Sequence, residues 1–271
     1  MLNRAIHKTP TPARRHSGAR GFTLVELMIG IVVGTIVIAA VIALYITAIR
    51  GATFVTQEAR LTQETRIALD LMANDIRRAG YSHPDRIEFD EETDALPRNP
   101  FMGPDLNLAI HEDENCILLS YDPTYGYTIE DPLQALDEID EQYVFGYRLA
   151  GNSIQMLTGQ IESTGSCDEN DGWETLTDPA TTNVTRLDFS LDRSSCLHLD
   201  ADGNTSETAG LCPNNGGDED FYFENRRVTI QLEAQHAAAP DTRVSFIAGN
   251  DHDTSLTVGV RNARIFNGSD D

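Results

Sequence analysis

Residues 27–49, LMIGIVVGTIVIAAVIALYITAI, are 23 positions without a single charge. About 20 apolar residues in helical form cross the hydrocarbon core of a bilayer, so this run predicts a membrane span. Beyond it, Phe54, Leu61, Ala68, Met72, Ile76 and Ala79 recur at steps of three, four or seven, while Arg66, Asp70, Asn74 and Arg77 fall on the opposite side. That spacing is an amphipathic helix. No proline stands between Pro12 and Pro84, and Gly80 supplies a stop, so one unbroken helix is predicted from Phe22 to about Arg78. At about 1.5 Å per residue it would be a rod of roughly 87 Å.

After Tyr81 the period shortens to two. Cys116 to Tyr121 is a short apolar run, and Tyr143, Phe145, Tyr147 and Leu149 alternate with Val144, Gly146 and Arg148. Gly151-Asn152 separates that strand from Ser153-Ile-Gln-Met-Leu157, a hairpin signal. Leu187/Phe189/Leu191, Val228/Ile230/Leu232/Ala234 and Leu256/Val258/Val260 alternate with polar residues in the same way. Half-buried antiparallel strands have this pattern. The economical arrangement is an α+β fold, a sheet with one face covered by the apolar stripe of the long helix. Residues 82–114 and 196–220 read as long acidic loops.

Charge gives this architecture a direction. The 271 residues carry 20 Lys and Arg against 43 Asp and Glu, a net −23. A chain so acidic is a poor partner for phosphate backbones, and nucleic-acid binding is set aside. The exception is the beginning: Arg4, Lys8, Arg14, Arg15 and Arg20 occur there, and the first acid is Glu26. Basic residues before the span and an acidic body after it orient the N-terminus to the cytoplasm and the bulk outside, with a single pass through the membrane. The run exceeds the 7–15 residues of a cleavable h-region and lacks an A-x-A-like site at its end, so the apolar helix is expected to persist.

Glu26 sits at the edge of the apolar run, where a carboxylate is costly and marks a functional position. Its surroundings, Arg20-Gly21-Phe22-Thr23-Leu24-Val25-Glu26-Leu27, resemble the class III signal of type IV prepilins and type II secretion pseudopilins. The resemblance implies cleavage between Gly21 and Phe22 by a prepilin peptidase, and N-methylation of Phe22. It also implies an assembly role for Glu26 opposite a neighbouring subunit's new amino terminus, each charge lowering the cost of burying the other. Gly30 and Gly34 form a G-x-x-x-G, a spacing that permits close helix contact and is also common in membrane helices. The chain then divides into a leader (1–21), a transmembrane or fibre-core half of the helix (22–49), an amphipathic half (50–80) and a β-rich head (81–271).

Further segments narrow the resemblance. QEARLTQETRIALDLMANDIRRAGY, FGYRLAGNSIQML, DGWETLTDPATTNVTRLDFSL and RRVTIQLEAQ are similar to the PilW family of minor pilins. Many major pilins have a proline in the membrane half of the helix; this chain does not, and its mature length of 250 residues is large for a fibre-building subunit. What the resemblance implies is a minor pilin that primes pilus assembly at or near the tip. Its partners would be other minor and major pilins, the prepilin peptidase, the inner-membrane assembly platform and, before assembly, membrane lipid. It would pass from the bacterial inner membrane to the fibre on the cell surface. A J-type minor pseudopilin of type II secretion and a tip adhesin are the alternatives, followed by an exported enzyme delivered by the same signal.

Four cysteines, Cys116, Cys167, Cys196 and Cys212, allow three connectivities in an exported head. The favoured one pairs Cys116 with Cys167 and Cys196 with Cys212, the second closing a short loop. Inside that loop Asp200, Asp202, Asn204 and Glu207 offer the hard oxygens calcium prefers, though Gly203 comes fourth where an EF-hand has glycine sixth. Calcium is therefore the one cofactor candidate, against a solvated acidic turn. No catalytic residue is expected. His83, His111, His198, His236 and His252 are scattered, and no H-E-x-x-H, G-x-S-x-G or phosphate loop occurs. The acidic run at 88–94 reads as a solvated face, and Trp173 as a core or loop anchor.

Overall fold

A computed structural model describes residues 21–87, 99–103, 105–111, 115–123, 142–168, 172–213, 220–247 and 253–267. The basic leader through residue 20 and the acidic run at 88–94 lie outside them. One helix, α1, runs from Leu24 to Arg78 without interruption. It ends because Gly80 takes φ +69° and turns its N–H to the Ser120 carbonyl at 2.8 Å. A side chain at Gly80 would also strike Met102, whose Cε stands 2.6 Å from where a Cβ would be. The left-handed turn and the close approach both require glycine.

The chain forms two compact units, Met1–Thr53 and Phe54–Asp271. In the first, the described residues are Gly21, Phe22, Thr23 and the N-terminal part of α1, and none of them is buried. The second contains thirteen strands among its described residues. In chain order they are β1 (Ala109–His111), β2 (Cys116–Ser120), β3 (Val144–Ala150), β4 (Ser153–Leu157), β5 (Trp173–Thr175) and β6 (Thr182–Ser190). Then come β7 (Ser195–Leu199), β8 (Thr205–Ala209), β9 (Phe221–Asn225), β10 (Arg227–His236), β11 (Ala239–Phe246), β12 (Leu256–Gly259) and β13 (Arg264–Asn267). The α+β architecture expected from the sequence is present, and every strand pair is antiparallel.

The strands make three sheets, not one. The first is β1-β2-β3-β4-β5 in order. In the second, β10 is central, with β6 along one side and β11 and β12 sharing the other. The third is β13-β9-β7-β8. Gly151 and Asn152, at φ +55° and +68°, make the tight turn of the β3-β4 hairpin, since two consecutive left-handed residues match the twist of the strands.

The main core joins α1 to the first two sheets. Leu61, Ala68, Met72 and Ile76 pack in one cluster with Ile117, Leu119, Tyr147 and Ile154 of the first sheet and Leu187, Phe189, Ile230 and Leu232 of the second. Full burial of such side chains contributes about 1.5–3 kcal/mol each. The buried stripe of α1 also includes Thr65, Leu69 and Ala73, whereas Phe54, placed on it by periodicity, is 48 % exposed.

Val144 and Gly146, which alternate with Tyr143, Phe145 and Tyr147 along this strand, are themselves buried. The opposite face of the first sheet is covered by Phe101, Leu106 and the Cys116–Cys167 pair, which cluster with Leu118, Val144 and Leu157. Gly146 lies beneath Leu118 and Trp173, where a Cβ would come within 2.4 Å of Leu118 Cδ2. Nor is 196–220 simply a loop. It carries most of the β7-β8 hairpin, and Cys196 and Cys212 pack with Tyr222 and Phe266 under the third sheet.

Candidate functional site

The chemistry the sequence points to lies at the start of α1. Thr23 accepts the Glu26 N–H on its hydroxyl oxygen at 3.2 Å, and its carbonyl accepts the Leu27 N–H at 3.1 Å. Thr23 is therefore the N-cap and Glu26 the third residue of the helix, the T-x-x-E arrangement of a capping box. A carboxylate there faces the positive end of the helix dipole. Gly21 and Phe22 precede the cap and are exposed, Phe22 at 82 %. The first unit thus offers an accessible Gly-Phe bond, a sealed helix start and one carboxylate within the first turn.

From Leu27 to Ile49 this part of α1 carries no charge, and the helix is long and apolar enough to cross a membrane. A Cβ at Gly30 or Gly34 would meet nothing within 4 Å.

In the second unit, the C-terminal end of α1 is fastened to the first sheet by a polar cluster that sequence reasoning did not single out. Asp75 accepts the phenolic hydrogens of Tyr121 at 3.0 Å and Tyr147 at 2.5 Å, one on each carboxylate oxygen. The Arg78 guanidinium lies over the Tyr121 ring at 4.0 Å, and Tyr121 stacks on Phe145 at 4.1 Å. Burial, reinforced by Asp75, pushes both phenols well above their ordinary pKa. The available signal was D-I-R-R-A-G-Y itself. Its Asp75, Arg78 and Gly80 each make a named contact with the strand Cys116–Ser120 or the residue after it.

Two more buried charged groups brace the head. Arg86 pairs with Asp122 at 3.0 Å, and Asp122 also accepts the His83 N–H at 3.2 Å. Arg226 donates to the Asn107 side chain and lies 3.9 Å from Glu224, which accepts the Cys212 N–H at 3.1 Å. Burial lowers the Arg226 pKa to about 10, with Glu224 opposing the shift. A cavity of about 310 Å³ opens beside this pair. Arg264 is also on its wall, and among the described residues Nε and Nη2 of Arg226 are buried with no hydrogen-bond partner.

The cysteines pair as Cys116–Cys167 and Cys196–Cys212. The calcium candidate residues are not gathered around a common point. Glu207 lies on β8 opposite Leu197, and Asp200 uses both carboxylate oxygens on Asn204, from its N–H at 2.7 Å and its Nδ2 at 3.0 Å. Those bonds, the side-chain one first, hold the Asp200 carboxyl below the usual range. Among the described residues no three His, Cys, Asp or Glu side chains form a group that could hold a metal ion. Of the histidines singled out in the sequence, His111 contacts the Thr164 carbonyl at 2.7 Å and His198 stacks on Tyr222, while His252 lies outside the described residues. Trp173 lies under the Arg148 guanidinium at 4.3 Å, beside the second core cluster.

Two comparisons bear on these features. The prokaryotic N-terminal methylation motif matches residues 16–42, across the exposed Gly-Phe bond, the cap and Glu26. The family described as prepilin peptidase-dependent protein B matches residues 55–248, covering the amphipathic part of α1 and most of the head. No curated protein and no solved structure matches at a significant level. A pilin-like precursor signal leads into a head that this family spans for most of its length, and the chain belongs to the prepilin peptidase-dependent protein B family.

Proposed function

We propose that this chain is a minor type IV pilin of the PilW kind, made as an inner-membrane precursor and used to prime fibre assembly. The prepilin peptidase cuts between Gly21 and Phe22, and the new Phe22 amine is methylated. The apolar helix then holds the subunit in the bilayer until it moves into the fibre, where Glu26 faces the amino terminus of a neighbouring subunit. The work is structural, not catalytic, and the partners are other pilins and the assembly platform. The observation that carries this reading is the placement of the Gly21-Phe22 bond, exposed and immediately before a helix sealed by Thr23 with Glu26 in its first turn.

Deleting the gene in its host and scoring surface fibres and exoprotein release in the same strain tests the reading. Loss of fibres with normal secretion is the expected result. Failed secretion with fibres intact would assign the chain to the type II pseudopilins. In a second arm, Gly21→Leu should accumulate unprocessed precursor, and normal maturation of that variant would count against the cleavage site.

A further inference from the structure

The third sheet turns one face onto Cys196, Tyr222 and Phe266, and on its other face a row of large apolar side chains is exposed among the described residues. Strand register arranges the outer face in rows. Ile265 lies opposite Phe223 and Phe223 opposite Leu197; in the next row Phe221 lies opposite Leu199. These side chains are 54, 41, 42, 39 and 37 % exposed for Ile265, Phe223, Leu197, Phe221 and Leu199. Soluble surfaces carry apolar residues singly as a matter of course, but a contiguous block of this kind marks an interaction site. Here it interrupts the surface of a chain with net charge −23.

The rim of the block is acidic. Glu207 extends the first row, opposite Leu197 on the same face. Asp200 and Asp202 lie in the turn after Leu199. A second copy docked face to face would bring acids against acids, and an anionic lipid surface would meet the same repulsion. We infer that the outer face of this sheet docks a protein partner that is apolar at its centre and carries Lys or Arg at its edge. The apolar rows supply the buried contact and the acidic rim selects the partner. The inference holds whichever fibre or secretion assembly the chain serves.

The test places the photo-reactive amino acid benzoylphenylalanine at position 223 of the full chain in its host, with position 175, exposed on β5, as control. Adducts are mapped to the peptide by mass spectrometry, and non-reducing electrophoresis checks that both disulfides have formed. The expected result is an adduct from 223 and not from 175, to a peptide of another protein with apolar residues beside Lys or Arg. Glu207→Lys should lower its yield about fivefold, and reversing the mapped Lys or Arg to Glu should restore it. An adduct to a second copy, an adduct to lipid, no adduct above the control, or one indifferent to Glu207→Lys would each overturn the inference.

Discussion

Tyr147 donates its phenolic hydrogen to Asp75 at 2.5 Å, joining the centre of the first sheet to the last turns of α1. Tyr147 is fully buried and sits on β3, so the bond fixes the rotation of the helix about its own axis relative to the strands of the second unit. A hydrogen bond to a charged group is worth about 1.5–3 kcal/mol. Tyr147→Phe should therefore lower the unfolding free energy by about 2 kcal/mol, read from urea denaturation of the full chain in detergent. Asp75 keeps Tyr121 as a partner, so the fold should survive the change.

The same cluster predicts a response to alkali. Tyr121 and Tyr147 have pKa values raised above the ordinary value near 10, first by burial and then by Asp75. Above about pH 10 the unfolded chain releases these protons while the folded chain retains them. The stabilisation is complete below pH 10 and is lost as pH rises beyond it. Phenolate absorbance should show Tyr121 and Tyr147 ionising only with unfolding, so that Tyr147→Phe releases one proton fewer in that step.

Met72 is fully buried on α1, and Phe54, one of the larger apolar residues on the same helix, is 48 % exposed. Met72→Ala should cost about 2–5 kcal/mol, because a cavity is left against the first two sheets. Phe54→Ala should change stability by less than about 0.5 kcal/mol. Parallel denaturation curves would decide it, and equal costs would contradict the burial pattern.

The two disulfides close segments of different length, with sequence separations of 51 for Cys116–Cys167 and 16 for Cys196–Cys212. Loop-closure entropy gives about 4 and about 3 kcal/mol respectively. Replacing Cys116 and Cys167 together by Ala should destabilise the head more than replacing Cys196 and Cys212. The first pair also belongs to the layer over the outer face of the first sheet. Thermal unfolding under oxidising conditions would rank the variants.

Much of this arrangement was legible because the relevant signals are local. The unbroken helix follows from the absence of proline and from Gly80; β3 and β4 follow from alternation around Gly151-Asn152. Alternation states that a strand has two faces and leaves open which one meets water. On β3 the second face is buried by Phe101 and Leu106, which come from more than 35 residues upstream of Val144. On β9 it is the apolar residues, Phe221 and Phe223, that point outward. Asp75 escaped notice for the same reason, since its partners Tyr121 and Tyr147 are 46 and 72 positions away. The start of α1 needed nothing distant: Thr23 and Glu26 are three residues apart.

The position of Thr23 also bears on what maturation can alter. The hydroxyl that closes the helix belongs to a residue downstream of the Gly21-Phe22 bond, and α1 takes no hydrogen bond from either of those two residues. Trimming the chain at that bond would remove positive charge and bulk while leaving every backbone contact of the helix in place. Precursor and product would then differ in electrostatics and in access to the start of α1, with the helix and its Thr23 cap the same in each.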